Sequence, residues 1–203
     1  MIGLLYLVFF LIYGGLTYMV VRTVARWARS SQKSPLLMGG LAGILMLSPV
    51  FWDWPPMEVM FQYDCASRAG FTQYQTLDQW KVANPGVAAT LTPSNDLHST
   101  RKGNRERYVL NQRFAWDIIY TKHPLHIVER EERIVDTKTG EVLARYVDFS
   151  TDILGVSVGS SARGLFDYKV WMMKRSCEKD GHKVNRGHFF DFESVFEKLG
   201  GSK

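Results

Sequence analysis

Acidic residues are missing from the first 52 positions, and the first 21, MIGLLYLVFFLIYGGLTYMVV, carry no charge of either sign. This absence excludes the charged surface of an ordinary soluble domain at the N-terminus. A helix of that length measures about 31 Å, which matches a hydrocarbon core of about 30 Å. Residues 1–21 are therefore predicted to form a first transmembrane helix.

A second stretch without charge runs from Leu36 to Trp52, 17 residues and near the lower limit for a span. Its end, SPVFWDWPP, has the aromatic residues of a membrane–water interface and two prolines that end the helix. We expect a second transmembrane helix over residues 36–54. Gly39 and Gly43 form a GxxxG pair that permits close packing, either on the chain's own first helix, which we favour, or on another molecule.

The charges before Asp53 all lie in one short segment, at Arg22, Arg26, Arg29 and Lys33. Short loops rich in Lys and Arg stay on the cytoplasmic side of a membrane. Residues 22–35 are therefore predicted to be a cytoplasmic loop in a hairpin of two spans. The N-terminus and residues 55–203 then lie in the periplasm of the bacterial inner membrane. The alternative is a cleaved signal peptide, which would carry its positive charge before the apolar stretch.

The rest of the chain has little excess charge. The net charge is +5, but residues 53–203 hold 21 of the 25 bases against all 20 acids. Nucleic-acid binding usually needs a basic face spread over a folded domain. We therefore expect no nucleic-acid partner.

Cysteine is scarce, with Cys65 and Cys177 alone. Two cysteines cannot form the paired Cys-x-x-Cys sets of a zinc site. An even count in an oxidising compartment favours a disulfide, whereas two unrelated buried thiols would be expected in the cytosol.

The clearest local pattern is VEREERIVDTKTGEVLARYVDFS, residues 128–150. Two alternating runs flank a turn from Asp136 to Gly140, which predicts a β-hairpin. With a four-residue loop Ile134 lies opposite Leu143, and a one-residue bulge would change that register.

Shorter signals predict the other elements of the domain. They are a helix ending at Gly70, a strand over 71–77, a loop over 84–105, a glycine-rich loop over 153–164, a strand over 165–173 and a C-terminal amphipathic helix. The fold is therefore expected to be α+β: a two-helix transmembrane hairpin, then a small disulfide-linked domain with an antiparallel sheet and flanking helices.

Catalytic motifs are also missing, since the sequence has no G-x-S-x-G, H-E-x-x-H or phosphate-binding loop. His123 and His126 are separated by a proline and lack further ligands, so we expect no metal. The acidic run Glu129, Glu131 and Glu132 is interpreted as a solvated strand edge rather than a pair of catalytic carboxylates.

Four stretches occur in a distinctive order over roughly residues 61–178: CASRAGFTQYQT, YVLNQRFAWD, EREERIVDTKTGEVLARYVDF and YKVWMMKRSC. Together they resemble a family of short uncharacterised bacterial proteins with an early Cys-x-x-x-x-Gly segment, a VDTxTGEVLA hairpin and a late cysteine. The resemblance implies export or membrane attachment, and pairing of Cys65 with Cys177. It implies no activity and no catalytic residue.

These observations favour a non-enzymatic function without a cofactor. We expect an inner-membrane-anchored periplasmic module that contacts the lipid bilayer and binds a protein partner, as an accessory of an envelope assembly. The alternatives are a protective protein of the immunity or exclusion type, and an envelope enzyme whose first suspects are Asp64, Asp117 and the histidines. Homo-oligomerisation stays open.

Overall fold

The structure is a computed structural model that describes residues 2–94, 99–152 and 169–199. The chain divides into two compact units, Met1–Pro56 and Met57–Lys203. The described residues form five α-helices and a six-stranded antiparallel sheet, which confirms the α+β class. The helices are α1 (Ile2–Ser30), α2 (Pro35–Phe51), α3 (Trp54–Ser67), α4 (Leu77–Ala83) and α5 (Arg186–Glu197). The strands are β1 (Gly70–Gln73), β2 (Ser99–Lys102), β3 (Arg105–Val109), β4 (Phe114–Lys122), β5 (Ile127–Asp136) and β6 (Val142–Thr151).

The first unit consists mainly of α1 and α2. Helix α1 continues past residue 21 through Ser30, because RTVARWARS contains neither glycine nor proline. Three of the four cations therefore lie on the helix rather than in the expected loop over 22–35. Only residues 31–34 link α1 to α2.

Helix α1 meets the length and apolarity of a membrane span over Leu7–Ser30, and the most apolar part of that stretch is not buried. Helix α2 has 17 residues, which gives about 26 Å. It qualifies as a span only when joined to α3 as one bent segment. The structure thus supports one apolar N-terminal helix, as a span or a signal sequence, and the two-span hairpin stays a prediction.

Helix α2 lies against α1 at its two spaced glycines. A Cβ added at Gly39 would lie 3.4 Å from Ala25 Cβ, and one at Gly43 would lie 3.5 Å from Val21 Cγ2. Both are ordinary van der Waals distances, so the two glycines lie in the contact between α1 and α2 and an added methyl group would fit there. Gly39 and Gly43 pack within this chain's own pair of helices.

The second unit is built on a sheet with the strand order β1-β6-β5-β4-β3-β2. In the turn between β5 and β6, Gly140 has φ +79° and its N–H donates to the Asp136 carbonyl over 2.8 Å. The expected register is wrong by one residue. Ile134 lies opposite Ala144 rather than Leu143, because the ladder shifts directly after Ile134.

The acidic run of β5 does not form a solvated edge, and that prediction is wrong. Strand β5 lies between β4 and β6, and the exposed fractions of Glu129, Glu131 and Glu132 are 6%, 7% and 0%. A single strand's pattern does not show how many neighbours the strand has, so it could not separate an edge from an interior position.

The chain after β1 becomes helical earlier than expected. The predicted strand over 71–77 ends at Gln73, and Thr76 caps α4. Its hydroxyl accepts the Gln79 N–H, and the Gln79 side chain accepts the Thr76 N–H over 2.8 Å. This reciprocal cap outweighs the alternating pattern.

Two other expectations fall on less regular parts of the chain. The predicted loop over 84–105 contains β2. The strand expected over 165–173 is wrong for its described part, where Val170–Met172 is a 3₁₀ helix. The glycine-rich loop expected over 153–164 lies outside the described residues.

Helix α5 covers one face of the sheet, as expected for an amphipathic C-terminal helix. Phe189 is fully buried, with its ring centroid 5.9 Å from that of Tyr146 and 6.2 Å from that of Phe71. Cys65 of α3 and Cys177 form the expected disulfide, with an S–S distance of 2.03 Å. The bond links α3 to the segment that leads into α5.

Candidate functional site

The face of the sheet opposite α5 is charged. Strand alternation places one cross-strand row on it, in which Arg107 pairs with Asp117, Asp117 with Arg133, Arg133 with Arg145, and Arg145 with Thr72. With the neighbouring charges of β3, β5 and α3 this row forms a surface that we call the arginine face. Its members are Arg68, Arg105, Arg107, Arg133 and Arg145 with Asp64, Asp117, Glu129 and Glu131.

The charges of the arginine face lie in two layers. The five arginine side chains are 35–42% exposed, whereas the four carboxylate side chains are only 2–9% exposed. The guanidinium groups therefore cover the carboxylates. A molecule that approaches this face meets positive charge first. The four carboxylates beneath nearly balance the charge of the five arginines.

Glu131 sits between two arginines. Arg133 Nη2 donates to Glu131 Oε2 over 2.7 Å, and Arg145 Nε donates to Glu131 Oε1. Burial alone would raise the pKa of Glu131, but the hydrogen bonds and charges of both arginines outweigh it and lower the pKa. Glu131 is thus held as a carboxylate with both oxygens occupied.

The other buried acids are held in the same way. Asp117 accepts from Arg107 Nε over 2.7 Å and from Arg105, but its burial outweighs these partners and raises its pKa. Glu129 Oε2 lies 2.6 Å from Arg68 Nη2 and 2.8 Å from His123 Nε2. Asp117, Glu129 and Glu131 are therefore each shared between at least two basic side chains, whereas Asp64 pairs with Arg68.

A wide cleft of about 840 Å³ opens onto this face. It is lined by Tyr74, Gln75, Gln79, Glu131, Arg133, Glu141, Val142 and Arg145. Arg133 and Arg145 face each other across β5 and β6, an unfavourable like-charge pair that Glu131 offsets. Each guanidinium uses part of its five donors on Glu131, so others remain for a ligand.

This arrangement suits binding better than acid–base catalysis. A general base needs a pKa near the working pH and a free oxygen, and Glu131 has neither. Its arginines offer planar, paired donors that fit carboxylates and related anions.

The enzyme suspects fall into structural pairs rather than one centre. Asp64 Oδ1 lies 3.2 Å from Arg68 Nη1, and Asp117 lies in the arginine face. His126 Nδ1 lies 3.3 Å from Asp152, and His182 Nε2 lies 2.7 Å from Gln62 Oε1. His98 is outside the described residues. Among the described residues no group of three or more potential ligands for a metal ion occurs.

A second polar cluster, which was not predicted above, lies under α5. Glu132 is fully buried, with Arg130 Nη2 at 2.9 Å and Arg186 Nη2 at 3.6 Å from its Oε1. The 2.9 Å contact is an ion pair whose angles are not those of a hydrogen bond. Burial raises the pKa of Glu132, and this effect outweighs the charges of Arg130 and Arg186, which lower the pKa. Strand alternation within EREER could have separated Glu132 from Glu131, since neighbours on a strand point to opposite faces.

Comparisons with protein-family models, with curated proteins and with solved structures find no match to this chain. The resemblance to short bacterial proteins therefore rests on the quoted motifs alone.

Proposed function

We propose that this protein is an inner-membrane-anchored module that binds a protein partner in the bacterial periplasm, as an accessory of an envelope assembly. The observation that carries the proposal is the two-layered arginine face. Arginine is enriched among interface anchors, because its planar group makes both apolar and paired polar contacts. Buried carboxylates hold the guanidinium groups in place, which reduces the entropy that binding would cost.

The anchoring part of the proposal is supported by the apolar surface of the first unit. Exposed fractions reach 70% at Leu5, 68% at Leu11, 88% at Leu36 and 72% at Leu45. Leucines exposed at this density mark a surface that meets lipid or another apolar partner. We propose that α1 and α2 form two spans, with Arg22, Arg26, Arg29 and Lys33 on the cytoplasmic side.

The periplasmic part is supported by the disulfide between Cys65 and Cys177. Disulfides persist in oxidising compartments and are rare in the cytosol. A second unit in the periplasm and a cation cluster in the cytoplasm both follow from the same proposed two-span topology.

The test is purification of the full chain from gently solubilised membranes. We expect a protein partner at a fixed ratio for the wild type. The double variant Arg107→Gln/Arg133→Gln should lose that partner and keep its disulfide. The matched control Arg101→Gln/Lys102→Gln removes two charges from β2 and should keep the partner. A wild-type chain that runs alone as a monomer, or a partner retained by both variants, would refute the proposal.

A further inference from the structure

Within the described residues, one edge of the sheet has no strand beside it. Strand β1 pairs with β6 alone, and no other segment of the described chain bonds to its outer side. Natural edge strands usually carry charge, proline or a bulge. The opposite edge, β2, carries Arg101 and Lys102, whereas β1 reads Gly-Phe-Thr-Gln, has neither charge nor proline, and is four residues long.

The backbone of β1 offers hydrogen bonds outward. The Tyr74 N–H donates to the Leu143 carbonyl over 2.8 Å, so it points toward β6. In an antiparallel pair successive residues alternate in direction. The N–H and C=O groups of Phe71 and Gln73 therefore point away from the sheet.

Two concave surfaces flank this edge, one on each face of the sheet. The arginine-face cleft begins at Tyr74 and Gln75, directly after β1. On the other face a groove of about 300 Å³ lies between β1 and α5, lined by Phe71, Gln73, His188, Asp191, Phe192 and Val195. A strand added beside β1 would point alternate side chains toward the two surfaces.

The cleft offers hydrogen-bond donors near this edge. Arg145 lies opposite Thr72 of β1 and lines the cleft together with Tyr74 and Gln75. Arg145 and Arg133 carry the positive charges of the cleft, Glu131 is occupied between them, and the exposed Glu141 accepts from Thr139 Oγ1 at 3.3 Å. An incoming carboxylate would meet the two guanidinium groups.

We propose that β1 receives an extended segment of a partner protein as a seventh strand. The segment has acidic side chains on the face toward Arg133 and Arg145 and apolar side chains on the face toward Phe71 and Phe192. Backbone hydrogen bonds give this mode its affinity, and the alternate side chains give its specificity. The inference rests on the proposed function and names the recognition mode.

The test measures binding of a short fluorescent peptide of alternating Glu and Val to the full chain in detergent. Gln73→Pro removes an outward N–H without removing a bond to β6, and Gln73→Ala is the matched control. We expect binding to the wild type and to Gln73→Ala, and a loss of about tenfold or more in Gln73→Pro. A peptide of alternating Lys and Val should not bind. Hydrogen exchange at Phe71 and Gln73 should slow when the Glu/Val peptide is bound.

Equal binding by Gln73→Pro, equal binding of the Lys peptide, or no binding to the wild type would overturn this inference. Self-association of the wild type that Gln73→Pro abolishes would also overturn it, because the edge would belong to a second copy. If cells yield a fixed-ratio partner that Gln73→Pro retains, only the edge inference fails. If cells yield no partner, the proposed function itself fails.

Discussion

The buried ion pair of Asp136 and Arg113 should contribute strongly to the stability of the second unit. Asp136 is fully buried and Arg113 is 7% exposed, with Arg113 Nε 2.7 Å from the carboxylate. The same carboxylate accepts from Trp80 Nε1 over 3.0 Å and from the N–H groups of Lys138 and Thr139 over 2.9 and 3.3 Å. One side chain thus ties α4, the start of β4 and the β5–β6 turn together.

Asp136→Asn keeps the shape of this side chain and removes its charge. The Arg113 guanidinium then stays buried without a counter-ion, which typically costs 3–5 kcal/mol, so we expect a loss of about that size. The NH₂ group of the asparagine is itself a donor and must face at least one of the groups that donated to Asp136. That group loses its hydrogen bond, which adds to the loss of stability. Asp152→Asn weakens the contacts of Asp152 with Lys122 at 3.5 Å and with His126 at 3.3 Å, both open to solvent, and should cost less than about 1 kcal/mol.

The assay is denaturant unfolding of the full chain in detergent, followed by tryptophan fluorescence. The double variant Arg113→Met/Asp136→Asn should be less destabilised than the sum of its single variants, because each single change leaves the other group unpaired. A loss below about 1 kcal/mol for Asp136→Asn would refute the reasoning, since a buried charge would then have been left alone at little cost. Additive single effects would refute the coupling.

Three further predictions concern the same unit. Cys65 and Cys177 are 112 positions apart, so the double Cys→Ala variant should lose about 5 kcal/mol in the chain-entropy model, and unchanged unfolding would contradict this. The lowered pKa of Glu131 means that its contribution is complete above the unfolded glutamate pKa of about 4.3 and is lost as the pH falls through the lower folded value. Acid titration of Glu131→Gln should therefore show a shallower loss of stability than the wild type, and parallel curves would count against the assignment. Phe189→Ala should cost about 3–5 kcal/mol by leaving a cavity under α5. Phe190→Ala, 39% exposed, should cost less than about 1 kcal/mol, and equal thermal shifts would argue against the described face of α5.

Local patterns were sufficient for the elements whose stability is local. The hairpin of β5 and β6 follows from alternating residues around a turn with glycine at a positive φ, and α5 follows from its apolar spacing. The disulfide was predicted from an even cysteine count and the expected compartment, supported by the resemblance. Its residues lie in α3 and before α5, at opposite ends of the second unit's sequence.

The remaining features depend on contacts between distant segments. The sequence of β5 does not show that β4 and β6 enclose it, so its buried acids read as a solvated edge. The arginine face needs the register of four strands before Arg107, Asp117, Arg133 and Arg145 fall in one row. A one-residue bulge changes which residues lie opposite each other in such a row. The bulge after Ile134 has no separate signature in the sequence.

The central claim is that a membrane-anchored chain presents the arginine face of its second unit to a protein. Site-specific photo-crosslinking in living cells tests it most directly. A photoreactive residue replaces Tyr74, which is 57% exposed in the cleft, and a matched one replaces Lys122, whose side chain is 79% exposed outside it. We expect the Tyr74 position alone to give one defined protein adduct in the membrane fraction. No adduct at Tyr74, or the same adducts from both positions, would contradict the account.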